Sequence, residues 1–171
     1  MATAGDILSL APIPVLVAAA ATDVAFRMIP NCLPAAIAAY GLAERAVSGD
    51  WLPSALFAGI IFLVFFPFWY FNKLGGGDLK FLPACVLLVP FWAVGTLLLA
   101  MSLAIIALCL VYLPGRVFDL RAAKLPAVPA SAARRVFRIE GWRIRRGGGV
   151  PLGCAISTGC AFILVTGIFH A

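Results

Sequence analysis

Two aspartates, Asp23 and Asp78, stand where an apolar chain tolerates charge least. Asp23 closes a charge-free run from Ile7 to Thr22. Asp78 follows the glycines Gly75-Gly76-Gly77, just beyond a charge-free run from Trp51 to Asn72. An ionisable side chain at membrane depth is costly and marks a functional site, and here each aspartate is the obvious partner of the other. Two carboxylates brought close cannot both ionise cheaply, so the pair holds one proton between them. The ionised member can take a proton from water while the protonated member polarises an amide carbonyl. That is hydrolysis by general acid–base catalysis, with no covalent nucleophile, metal or cofactor. The titration then belongs to the pair rather than to either residue.

The glycines fit such a centre. Without Cβ atoms they permit close backbone approach and positive φ, so an extended peptide can lie beside Asp78. At the start of a helix, Asp78 has its anionic form favoured by the helix dipole, which nominates it as the more readily ionised partner. Simpler readings stay open: Asp78 as a plain helix cap, and Asp23 as an interfacial ion pair with Arg27 four residues on.

The elements that must position these residues are membrane helices. Of the 171 residues 64% are hydrophobic and 12% charged, and the mean hydropathy is +1.08; a soluble domain carries about 25% charged residues. The composition predicts an all-α, polytopic membrane helix bundle, with residues 1–171 as one integral-membrane domain. The N-terminus lacks a basic region, so its first apolar stretch is expected to be a retained span rather than a signal peptide. The five cysteines show no CxxC and no zinc-ligand spacing, and neither a metal nor a cofactor is expected.

Taking roughly 20 residues per crossing, about six spans are predicted: Ile7–Phe26, Cys32–Val47, Trp51–Phe71, Leu79–Val89, Phe91–Leu113 and Val150–Phe169. Residues Phe81–Gly115 form an uncharged run too long for one crossing, and Pro90 is its natural break. Cation placement sets the orientation. Arg27 falls in the first odd-numbered loop, Lys73 and Lys80 in the next, and nine cations between Arg116 and Arg146 in the last, which makes 12 of the 13 Lys and Arg residues on one side. Arg45 alone falls opposite, beside Glu44 and Asp50. The three cation-bearing loops are therefore expected in the cytoplasm, and Asp23 and Asp78 at one depth on that face.

Three blocks of sequence resemble the type IV prepilin peptidases, the GxGD-type aspartic proteases of prokaryotic membranes, and most closely the short form associated with Flp/Tad pili. Asp23-Val24-Ala25-Phe26-Arg27-Met28-Ile29-Pro30-Asn31 is similar to the family's Asp followed by a basic residue and Ile-Pro-Asn. Gly75-Gly76-Gly77-Asp78-Leu79-Lys80 fits GxGD followed by a hydrophobe and Lys. Val150-Pro151-Leu152-Gly153-Cys154-Ala155-Ile156 is similar to the run opening the last span, although Leu152 stands where an aromatic is expected. The resemblance implies a protease of the bacterial cytoplasmic membrane that cuts the leader from prepilin or pseudopilin precursors at the cytoplasmic face, with Asp23 and Asp78 as its catalytic aspartates. Longer members carry paired CxxC motifs and N-methylate the new terminus. This chain has no such motif, so no methyltransferase activity is expected.

Other residues are read around that centre. Asn31 is expected to cap the second span, with a role in orienting Asp23 as the alternative. Arg27 and Lys80 lie near the aspartates and are read as supporting charges or interfacial anchors. Residues 114–149 form a long basic loop in which six arginines interleave with Val136, Phe137, Ile139, Trp142 and Ile144. An anionic lipid leaflet is its expected partner, a lid over the site the alternative, and nucleic acid is excluded because flanking spans hold the loop at the bilayer. His170, the sole histidine, lies at the far end and is not expected to be catalytic. Two rival readings remain. A presenilin-type protease is disfavoured by Thr22 and the span count, and a small transporter or channel would use the Asp pair as a proton or cation site.

Overall fold

A computed structural model describes residues 10–117, 139 and 150–167. Six α-helices follow one another: α1 (Ile13–Phe26), α2 (Cys32–Ser48), α3 (Trp51–Tyr70), α4 (Gly76–Val86), α5 (Val94–Val117) and α6 (Leu152–Thr166), with a 3₁₀ turn at Phe91–Ala93. All six lie close to the spans expected from the charge-free runs. The expected basic loop falls almost wholly outside the described residues, as do His170 and the outer ends of the first and last spans. Trp51–Tyr70 and Phe91–Leu113 are long and apolar enough to cross a membrane; α1 and α6 are shorter apolar helices.

The break at Pro90 separates two helices, as its missing N–H requires. α4 ends at Val86, Leu87 and Leu88 donate back to Ala84 and Cys85, and Pro90 is extended (φ −57°, ψ 149°). α4 differs from expectation at both ends, starting at Gly76 instead of Leu79 and finishing three residues early. Eleven residues at 1.5 Å each span about 16 Å, half of a hydrocarbon core of about 30 Å. α4 is accordingly the hub of the bundle rather than a full crossing. Leu79, Phe81, Leu82, Ala84, Cys85 and Val86 are all buried.

The outer helices show the opposite pattern. Leu63 and Val64 on α3, and Leu99, Leu103, Ile106 and Leu110 on α5, leave most of their surface uncovered. Apolar side chains facing outward over whole helices are what lipid, not water, accommodates. At two helix crossings, glycines let backbones approach closely, as in membrane helix pairs. A Cβ on Gly41 of α2 would lie 2.7 Å from the Leu87 carbonyl carbon, and one on Gly159 of α6 would lie 2.6 Å from Met101 Cα of α5.

At the α2–α3 turn the buried Arg45 is held by two acids, Glu44 at 3.1 Å and Asp50 at 3.4 Å. That pairing is what a charge needs in such surroundings. It sits at the opposite end of α2 from the segment that carries Arg27 and Asn31.

The close crossing gives a direct test. Gly159→Ala forces a Cβ into the α5 backbone and should destabilise the protein by about 1–3 kcal/mol. Gly59→Ala meets nothing within 4 Å and should be neutral or stabilising by up to about 1 kcal/mol. Thermal unfolding of the two variants in detergent checks the contrast.

Candidate active site

The site begins where α1 stops. Phe26 is its last helical residue, and Arg27 adopts the left-handed region (φ 57°) while its N–H donates to the Asp23 carbonyl. For a residue with a side chain this costs roughly 1–2 kcal/mol. The reversal turns Met28-Ile29-Pro30 across the helix end, and Pro30 keeps Ile29 out of the helical region. Ile29 is buried and is wedged between glycines of two other helices. A Cβ on Gly77 would lie 3.2 Å from Ile29 Cβ, and one on Gly153 would lie 2.5 Å from Ile29 Cδ1. The three sequence blocks that are far apart along the chain therefore meet at one isoleucine.

Asp23 is 6% exposed. Its Oδ2 accepts a hydrogen bond from the backbone N–H of Cys154 at 3.1 Å. Cys154 is the third residue of α6, so the donor is one of the first-turn N–H groups that lack an acceptor within their own helix. Asp23 lies near the negative end of α1 but at the positive end of α6, and the second offsets the first. Contact requires glycine before Cys154, because a Cβ at position 153 would lie 3.1 Å from Asp23 Oδ2.

Asp78 lies in the first turn of α4, preceded by Gly75 in an extended conformation (φ −67°, ψ 140°). A Cβ on Gly75 would approach Asp78 Oδ2 to 2.9 Å, and one on Gly76 would lie 3.2 Å from Trp69 Nε1. At these two glycines protein side chains pack where a Cβ would stand. The expectation of positive φ does not hold, since among the described residues only Gly49 and Gly167 are glycines with positive φ. Gly76 and Gly77, expected before the helix, already belong to it. Ile29 and Trp69 occupy the space that side chains at these positions would need.

Both carboxylates open into one cavity of about 200 Å³, lined by Asp23, Arg27, Met28, Ile29, Gly75, Gly76, Gly77 and Asp78. At roughly 30 Å³ per water it holds several waters and a peptide group. Arg27 Nη2 donates to the Tyr112 hydroxyl at 3.3 Å, with the guanidinium 5.9 Å from that ring's centroid. Lys80 Nζ donates to Asn31 Oδ1 at 3.1 Å. Asn31 occupies the residue before α2 but makes no side-chain cap bond; a cation from α4 has taken the acceptor. Among the described residues, no group of three or more His, Cys, Asp and Glu side chains is placed to hold a metal.

Asp23, Asp78, Arg27 and the three glycines are thus brought together, while Lys80 and Asn31 pair beside them. Tyr112, Gly153 and Cys154 were not among the residues expected to build the site. The only sequence signal for the last two is the Pro-Leu-Gly opening of the final apolar run.

A family model described as the Type IV leader peptidase family matches residues 10–112, well over half of the chain. The match covers both aspartates and ends before α6. No curated protein and no solved structure matches the chain.

The wedge is testable apart from any activity. Ile29→Ala leaves a void between Gly77 and Gly153 and should cost about 2–4 kcal/mol, while Ile29→Val should cost about 1 kcal/mol. Unfolding of the two variants in detergent measures both.

Proposed function

We propose, from the premise that this chain belongs to the type IV leader peptidase family, that it is an aspartic endopeptidase whose working groups are Asp23 and Asp78. The observation that carries the reading is the shared cavity, in which two acids from helices far apart in sequence meet. Its substrate is a prepilin- or pseudopilin-like precursor of the Flp type, cut at the cytoplasmic face of a bacterial inner membrane by a multi-pass chain. The excess of Lys and Arg in the loops on that side supports this orientation. The same cations favour an anionic leaflet around the site. Without paired CxxC motifs, the chain cleaves and does not methylate.

The chemistry follows from one proton shared by two acids. Asp23 accepts an N–H at the start of α6, an arrangement that favours its anion. We therefore assign Asp23 as the base and Asp78 as the acid, the reverse of the nomination that the sequence alone supports. Asp23 removes a proton from a cavity water, whose oxygen attacks the scissile carbonyl carbon. Asp78 gives its proton to the carbonyl oxygen, leaving a neutral tetrahedral diol. The proton on Asp23 then passes to the leaving nitrogen as Asp78 recovers one from a diol hydroxyl. The C–N bond breaks, the carbonyl re-forms, and the pair again holds one proton. First-turn N–H groups of α4, at Gly76 and Gly77, lie beside Asp78 and suit the oxygen on which negative charge develops. Arg27, steadied by Tyr112, supplies a fixed positive charge at the cavity wall, while Lys80 and Asn31 brace α4 against the start of α2.

Asp23→Asn and Asp78→Asn should each lower cleavage of a co-reconstituted prepilin by about 10²–10⁴-fold while the protein still inserts. Mass analysis of the products reads the result, and near-normal cleavage by either variant overturns the assignment. Gly153→Ala should displace the Asp23 carboxylate and lower kcat by about 100-fold. Because the active form carries a single proton on the pair, kcat/KM should fall on both sides of an optimum. It falls toward acid as Asp23 gains a proton and toward alkali as Asp78 loses one. Either asparagine variant should remove that bell from any residual activity.

A further inference from the structure

We propose that the crevice between α1 and α6 is the seat of the precursor's own membrane helix, the apolar segment immediately following the cut. This rests on the peptidase reading above and says where that enzyme holds its substrate within the bilayer.

The crevice has a volume of about 390 Å³ and is lined by Leu16, Val17 and Ala20 of α1 and by Ser157, Thr158, Ala161, Phe162 and Val165 of α6. Its register ties it to the reacting centre. Ala20 and Leu16 lie three and seven residues before Asp23, on the helix face that carries the carboxylate. Thr158, Ala161 and Val165 lie four, seven and eleven residues after Cys154, on the face that begins at the N–H bonded to Asp23. The crevice lining begins within a turn of Asp23 and Cys154, at Ala20 and Ser157, and extends about 12 Å along α6 to Val165, counting 1.5 Å per residue.

A second crevice of about 410 Å³ lies between α2, α3 and α4, but it is out of register with the chemistry. Its α4 wall is made by Lys80, Pro83, Ala84 and Leu87. At about 100° per residue, Lys80 points roughly 200° away from Asp78.

Two features favour a peptide over a lipid chain as occupant. Ala20, Ser157 and Ala161 make a small-residue floor that lets a helix backbone approach closely, as in membrane helix pairs. Ser157 is 3% exposed, and its Oγ has no hydrogen-bond partner among the described residues. An acyl chain leaves that hydroxyl unsatisfied, whereas a peptide carbonyl or side-chain oxygen accepts from it. The rims, Val17 and Phe162, are more than half exposed, so the crevice opens sideways to lipid. A helix already resting in the membrane enters without leaving it, and its first extended residues arrive at Asp23.

The full-length chain, reconstituted in liposomes, is given two probes: a prepilin-like precursor with its basic leader, cut site and apolar helix, and the same precursor truncated before the helix. The wild-type protein should prefer the first. Ala161→Phe and Ala20→Phe should raise KM for it at least tenfold and bring the ratio of kcat/KM between the probes toward one. Filled variants that keep the wild-type ratio overturn the proposal while leaving the peptidase reading intact.

A second measurement needs no filled crevice. With Phe162 replaced by photoreactive p-benzoylphenylalanine in an Asp78→Asn background, illumination should yield an adduct on the precursor's apolar helix. Adducts confined to lipid overturn the proposal. Helix adducts formed by a protein whose wild type cuts neither probe overturn the peptidase reading instead.

Discussion

The hydrogen bond from Cys154 N–H to Asp23 Oδ2 is the contact on which the rest of the site depends. A carboxylate near the C-terminal end of an apolar helix faces two penalties: lost hydration and the negative end of its own helix. The first turn of α6 offsets both, supplying a donor that its own helix cannot use and a positive partial charge. That approach needs glycine at 153 and a filler for the space around it. The filler is Ile29, which reaches its place because α1 ends in a left-handed Arg27 followed by a proline two residues beyond Ile29's predecessor. Strain at one backbone position is thus balanced by packing at the next.

The bundle houses its buried charges in two different ways. At the α2–α3 turn Arg45 is paired with side chains, Glu44 and Asp50. At the other end two acids share a cavity with Arg27, whose guanidinium bonds Tyr112. Backbone contributes to the offset there, through the Cys154 N–H on Asp23. α4 begins at the cavity, where Gly76, Gly77 and Asp78 line it, and the first turn of α6 donates the Cys154 N–H to Asp23. A side-chain ion pair holds a charge inert, whereas helix N-termini stabilise an anion yet leave its lone pairs open to a water proton. The difference separates a structural cluster from one able to do chemistry.

The helices were legible because a chain in lipid must satisfy every backbone group internally, so an unbroken apolar run becomes a helix. The meeting of Asp23 and Asp78 at one end followed from counting crossings and cations between them. What escaped the sequence was tertiary. Three successive glycines read as a loop by propensity, yet Gly76 and Gly77 are helical, and Ile29 and Trp69 lie where Cβ atoms would otherwise project. Asn31 reads as a cap by type and position, but Lys80, 49 residues away, claims its oxygen. The hold of Cys154 on Asp23 spans 131 residues, and no local pattern reports a bond of that kind. Local chemistry proposes a role for each residue, and whichever distant group arrives with the stronger interaction decides it.

The shortness of α4 ties these points to catalysis. A helix that crossed the whole bilayer would place its first turn in the headgroup region, where water competes for every donor. With about 16 Å of helix buried from Leu79 onward apart from Lys80 and Pro83, the half-buried Gly76, Gly77 and Asp78 start against Ile29 and Trp69. The cavity is then small and walled largely by protein, in surroundings where charges interact more strongly than in water. A half-length helix is a poor membrane anchor, and the longer α3 and α5 do the anchoring. Freed from that task, α4 can start where its first turn meets the end of α1, in the cavity that Asp23 and Asp78 share.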